Sequence, residues 1–294
     1  MTTVRAAFEQ MIQQLELTEA ERAEASRQQN DLRTRLVSTL TGVEEQFLTG
    51  SYARHTAIRP LHDIDLFMVL NDAVHGYRRS APISHVLYLV QRALKQIYPN
   101  KDPAILQNRS VHLDFKGTGI GYDIVPAFRE RVGSDVYLIP DRRAEHWIRS
   151  NPRAHEAAST LANEKAGKKL KPLIKVAKHW NVHQGKPLAS FHLEVMAYGA
   201  FSSAPASYPE GLVALFGHLS NAVLHACPDP TGLGPDIDQG LGGQDQLRFY
   251  GLFHSAMEHA RQAINLDARG LPEQAHLLWR ALLGEVYPEC GRRF

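Results

Sequence analysis

Residues 48 to 70, LTGSYARHTAIRPLHDIDLFMVL, decide how the rest of the chain is read. The second half, from His62 to Leu70, is rich in β-formers and too short for a helix, so it reads as one strand. Side chains on a strand alternate, which puts Asp63 and Asp65 on one face and Ile64 on the other. Two carboxylates so placed repel each other and resist burial, and a divalent cation between them removes both problems. The bland alternative, a strand end with two solvated aspartates, does not explain why the pair follows Gly50-Ser51 and leads into a continuous apolar run.

Working outward, Thr18-Glu19-Ala20-Glu21 is a capping-box pattern that opens a helix running to about Leu40. Its apolar residues thicken toward Leu32, Leu36 and Leu40. A strand, a turn and a short helix are expected between Val43 and Arg59. Residues 83 to 98 form an amphipathic helix with Val86, Leu87, Leu89, Val90, Leu94 and Ile97 on the buried face. Strands over 110–116 and 122–128 are joined by Gly117-Thr118-Gly119-Ile120-Gly121, whose glycines permit a tight reversal. In the second of them, Asp123 stands alone among apolar residues. If that strand lies in register beside the first, Asp123 joins Asp63 and Asp65.

Asn151-Pro152 marks a boundary, which divides the chain into residues 1–150 and 151–294. Beyond it the sequence turns helical, with segments near 154–182, 190–201, 209–226, 244–265 and 271–284, the last stopped at Gly284. Pro228 to Gly243 is a long loop. Between Lys168 and Trp180, Leu170, Leu173, Ile174, Ala177 and Trp180 share one helical face. Lys168, Lys171, Lys175 and Lys178 share nearly the opposite one. That lysine stripe is either a solvated face or one wall of a site for a polyanion such as a nucleoside triphosphate, with Lys178 nearest the core.

The 294 residues, 44% hydrophobic and 22% charged, suffice for two cores. A net charge of +2 gives no bulk attraction for nucleic acid. No signal-like segment or apolar run of about 18 residues occurs, so a cytoplasmic protein without a membrane span is expected. Cys227 and Cys290 lack the spacing of a zinc site or a disulfide framework. The fifteen histidines are scattered singly and read as surface or core residues.

A Gly-Ser turn offers backbone N–H groups and a hydroxyl to phosphate oxygens. Three carboxylates can hold two magnesium ions in the arrangement that stabilises attacking and leaving oxygens of an in-line displacement. Together these parts describe nucleotidyl transfer. Asp63 and Asp65 would bind both metals, and Asp123 would bind the one that activates the incoming hydroxyl, with pyrophosphate leaving.

Gly50-Ser51, Asp63-Ile64-Asp65 and Asp123 resemble the polymerase-beta-like nucleotidyltransferase superfamily. The longer strings GSYARHTAIRPLHDIDLFMVL, YDIVPAF, LKPLIKVAKHWN, SFHLEVMA and WRALLGEVYP narrow the resemblance to the bacterial CD-NTase family, related to cyclic GMP-AMP synthase and oligoadenylate synthetase. The resemblance implies an α+β fold, with a mixed-sheet catalytic lobe, a helical lobe and the active site between them. It implies a magnesium- or manganese-dependent enzyme that makes a cyclic di- or trinucleotide second messenger from nucleoside triphosphates in antiphage (CBASS) signalling. By matched position Ser51 contacts the donor triphosphate, Lys178 and Ser190 its phosphates, and Phe191 stacks on a base, with core packing as the alternative for Phe191. The zinc insertion of the animal DNA sensor is lacking, so direct DNA activation is not expected. A monomer, either constitutively active or controlled by a partner protein from the same operon, is. The rival readings are an RNA-tailing transferase of the CCA-adding or poly(A) type and an inactive nucleotide-binding regulator.

Overall fold

The structure, a computed structural model, describes residues 2–185 and 187–289. Cys290 lies outside them. The chain opens with helix α1 (Val4–Leu15) and the long helix α2 (Glu19–Thr39). At the start of α2 the Thr18 side chain accepts from the Glu21 backbone N–H, and the Glu21 carboxylate accepts from the Thr18 N–H at 2.7 Å, so both halves of the capping box form. Strand β1 (Val43–Thr49), the one-turn helix α3 (Gly50–Ala53) and strand β2 (Asp63–Leu70) follow, then the short α4 (Asp72–His75) and the amphipathic α5 (Ser84–Ile97). Strands β3 (Ile105–Leu106), β4 (Val111–Phe115), β5 (Ile120–Arg129), β6 (Tyr137–Asp141) and β7 (His146–Ser150) complete the sheet. Helices α6 (Pro152–Lys165), α7 (Leu170–Val182), α8 (Ser190–Ala197), α9 (Tyr208–Ala222), α10 (Gly243–Ala268) and α11 (Pro272–Leu283) form the rest.

The sheet is mixed. Its order is β1-β2-β5-β4-β3, with β6 pairing the end of β5 and β7 beyond it. Only the central β2–β5 pair is parallel among the described pairings. The β4–β5 hairpin is the one expected from the glycine-rich reversal. A central strand covered on both faces needs an unbroken apolar run, which is what β2 supplies. Ile64, Leu66, Met68 and Leu70 enter a core with Leu32 and Leu36 of α2 and Val86, Leu87 and Val90 of α5. Phe67 and Val69 point the other way and pack with Tyr137 and Ile139. The alternation puts Asp63 and Asp65 on this second face, away from the two covering helices.

A separate core unites α7, α8, α9, α10 and α11, and α1 belongs to it: Phe8 is fully buried and meets Trp279 edge-on at 4.7 Å. The sequence reading did not assign α1, because its polar glutamines mask a stripe formed by Val4, Phe8, Met11 and Leu15. Strands β3, β6 and β7 also escaped it, being short and flanked by charge. The segment near 154–182 is two helices, since Gly167 and Lys168 both adopt positive φ (60° and 64°) and break the run. Of the two readings of the lysine stripe, the solvated face does not hold for its last two members. Lys175 and Lys178 are each 5% exposed. The C-cap of α11 falls at Gly284 as expected, with φ 78°.

Candidate active site

The two acids of β2 and the acid of β5 meet because the strands run parallel in register, Asp63 opposite Gly121 and Asp65 opposite Asp123. On the other side of β2, Thr49 faces Asp65 and hands the chain to Gly50. Gly50 has φ 68°, and a Cβ there would collide with the Asp65 carboxylate. The glycine is therefore required both by its backbone conformation and by the acid behind it. Gly121 plays a similar part, as a Cβ would stand 2.7 Å from Asp63 Oδ1 and 2.5 Å from His112 Cε1.

Burial is the main cause that pushes the Asp65 carboxyl up to about 6, with the charges of Asp123 and Asp63 adding to it and Arg54 opposing. Asp123 is raised as well, first by burial, while His112 works against the shift. His112, on β4 directly opposite Asp123, puts Nδ1 2.9 Å from Asp123 Oδ1 and Nε2 3.0 Å from Asp114 Oδ1. Burial alone would lower the imidazole, but the hydrogen bonds to Asp123 and Asp114 outweigh it and hold the ring's pKa above its ordinary value. Among the described residues no three His, Cys, Asp or Glu side chains are gathered into a ready-made metal site, and one oxygen of Asp123 is turned to His112. The donor set nevertheless suits a hard divalent cation: three carboxylates line one cleft, and one of them is raised by burial and then by the others' charge.

The cationic groups of the same cleft come from both lobes. Glu194 of α8 binds Arg54, just past α3, at 3.0 Å and also pairs with Lys178 of α7. Lys178 Nζ additionally donates to the Thr56 carbonyl at 3.1 Å. Two cations share one carboxylate, so the cluster carries one positive charge in excess. Glu194 is lowered because Lys178 and Arg54 overcome the effect of burial, whereas burial lowers Lys178. The Arg54 guanidinium lies 4.9 Å from the centre of the Phe191 ring.

Gly50, Ser51, Asp63, Asp65, Asp123, Lys178, Ser190 and Phe191 all line one cleft of about 590 Å³ between the sheet and the helices. Every site residue named from the sequence is thus brought to a single place. Arg54, His112, Glu194 and His155, which share it or support it, were not singled out. Helical spacing held the signal for Glu194, four residues after Ser190 and so on the same face. His112 carried none, because a cross-strand partner is invisible without the register.

The Second Messenger Oligonucleotide or Dinucleotide Synthetase domain matches residues 1–163. A cyclic AMP-AMP-AMP synthase of Acinetobacter sp. (strain ATCC 27244 / 9458) is 27% identical over 264 residues, which are 83% of this chain and 73% of that protein. The structure of E. coli MS115-1 CdnC with ATP superposes with a TM-score of 0.75 at 18% identity, covering 97% of this chain and 98% of that one. The same protein in its CdnC:HORMA-deltaN complex gives 0.73 at 19% identity, over 97% and 98% of the two chains. The sequence match, with the fold to which it corresponds, places the chain in a family of nucleotidyltransferases: it belongs to the Second Messenger Oligonucleotide or Dinucleotide Synthetase family, the CD-NTase enzymes.

Proposed function

We propose that this chain joins nucleoside triphosphates, ATP among them, into a cyclic di- or trinucleotide with release of pyrophosphate. The observation that carries this reading is the register of β2 and β5, which sets Asp65 beside Asp123 in the cleft that also holds a buried Arg54–Glu194–Lys178 cluster with excess positive charge. Carboxylates and excess cations lining one cleft suit a substrate that is itself a polyanion and must lose an anionic leaving group. The name of the Acinetobacter relative and the ATP in the CdnC structure support ATP as a substrate.

In this reading the Gly50-Ser51 turn and the cations Arg54 and Lys178 hold the triphosphate, and Ser190 supports its phosphates. Phe191 offers a face to a base. Asp123, oriented by His112, accepts the proton of the attacking hydroxyl. Magnesium or manganese held by Asp63, Asp65 and Asp123 would supply charge neutralisation at the triphosphate and activation of that hydroxyl. The HORMA-deltaN complex of CdnC supports control by a partner protein. The resemblance to CBASS enzymes supports a role in antiphage signalling in the cytoplasm. Among the described residues no helix is long and apolar enough to cross a membrane.

The test is incubation with the four nucleoside triphosphates and magnesium, with products identified by mass and pyrophosphate measured. Wild-type protein should release pyrophosphate and form a cyclic product. The double substitution Asp63→Ala with Asp65→Ala should reduce release to background while the circular dichroism spectrum is retained. Undiminished turnover in that variant would sink the assignment.

A further inference from the structure

His155, in the second turn of α6, lines the same cleft as the aspartates, and its ring centre lies 5.3 Å from that of Phe191. Arg54 sits over Phe191, so Arg54, Phe191 and His155 form one run of flat groups along the helical wall. The His155 ring is held from behind. Its Nε2 stands 2.6 Å from Oδ1 of Asp229, in the loop between α9 and α10.

Asp229 is itself built in. Its side chain is only 4% exposed, and it accepts from the Thr231 N–H at 3.1 Å, the Thr231 hydroxyl at 2.7 Å and the Gly234 N–H at 2.8 Å. Gly234 is needed for this approach, since a Cβ there would stand 2.9 Å from Oδ2. Burial would raise the carboxyl, but the hydrogen bonds from Thr231, His155 and Gly234 bring it down to about 2. A carboxylate is an acceptor only. It therefore fixes the hydrogen of His155 on Nε2, and the neutral ring has Nδ1 left as an acceptor. Among the described residues no hydrogen-bond partner takes that nitrogen.

We propose that His155, clamped by Asp229, is a specificity-determining residue that accepts a hydrogen bond from the exocyclic amine of an adenine base stacked beside Phe191. An acceptor of fixed direction next to an aromatic platform is what reading an amino group on a base edge needs. A tie between α6 and the following loop would explain the Asp229 contact alone. It would not explain why the ring faces the cleft with a nitrogen unused. The inference rests on the reading of this cleft as a nucleotide site and specifies the base it takes.

The experiment compares a non-hydrolysable ATP analogue with the corresponding purine riboside analogue, which lacks only the 6-amino group. Binding to the full chain is measured by calorimetry with magnesium present. Wild-type protein should bind the adenine form about five- to tenfold more tightly. His155→Phe should bind both forms alike, and His155→Gln, which keeps an acceptor, should recover part of the preference. Equal loss of affinity for both analogues in His155→Phe, with the adenine preference intact, would overturn the proposal and leave a structural tie. So would a wild-type protein that makes no distinction. Because binding is read without turnover, a wild-type protein that shows the adenine preference yet releases no pyrophosphate would defeat the proposed reaction and leave the base reader standing.

Discussion

Asp65 shows most sharply how a carboxyl buried beside two others is held at the expense of the fold. Its carboxyl is pushed up to about 6 by burial first and then by Asp123 and Asp63. In the unfolded chain the same group titrates near the ordinary 3.8. The folded protein therefore holds a proton that the unfolded chain has lost, and stability falls as pH rises through this window. Above it, the ionised acid costs about 1–3 kcal/mol. Asp65→Asn should thus unfold at higher denaturant concentration than wild type at about pH 8 in the presence of a chelator. The gap should close near pH 4 and narrow when magnesium is added to wild type. A variant less stable than wild type at about pH 8 would show that the carboxylate is satisfied without a cation.

At the scale of elements, the buried cluster of Arg54, Glu194 and Lys178 joins the turn after β1 to α7 and α8. Removing one partner of a buried ion group leaves the others uncompensated, which typically costs about 3–5 kcal/mol. Glu194→Gln should therefore be destabilised by that order in urea titration. It should lose more stability than Glu194→Gln combined with Lys178→Met, which removes a stranded cation as well. Lys178→Ala alone should raise the KM for the triphosphate more than it lowers kcat; an unchanged KM would make Lys178 a fastening between lobes and nothing else.

The same elements show what the sequence made legible. Period two in HDIDLFMVL gave the strand and the shared face of Asp63 and Asp65, because both follow from local geometry, whereas the place of Asp123 waited on the β2–β5 register. The Gly-Ser turn and the capping box were readable for the same reason. His112 and His155 depend on partners 11 and 74 residues away in sequence. No local period encodes such distances. The lysine stripe misled in part because a helical wheel shows which residues share a face but not what covers it, and Glu16 and Glu194 cover Lys175 and Lys178.

At the scale of the whole molecule, α1 is the telling element. It precedes the sheet in the chain yet buries Phe8 against Trp279 and Tyr287, at the far end of the helical core. His276 Nε2 reaches back to the Thr2 carbonyl at 2.8 Å, and the Tyr287 hydroxyl meets His276 Nδ1 at 3.0 Å. Phe8→Ala opens a cavity in that core and should cost about 3–5 kcal/mol, read as a lowered denaturation midpoint. A loss below about 1 kcal/mol would mean that α1 is only laid on the surface.

The position of α1 also bears on how the protein comes into being. During synthesis its apolar stripe must wait for some 260 residues before its partners on α11 appear. The sheet, whose central contacts span far less of the chain, has no such delay. The three aspartates of the cleft can therefore come together before α11 has been made. A nascent chain can hold the acids of β2 and β5 in register well before α1 meets Trp279.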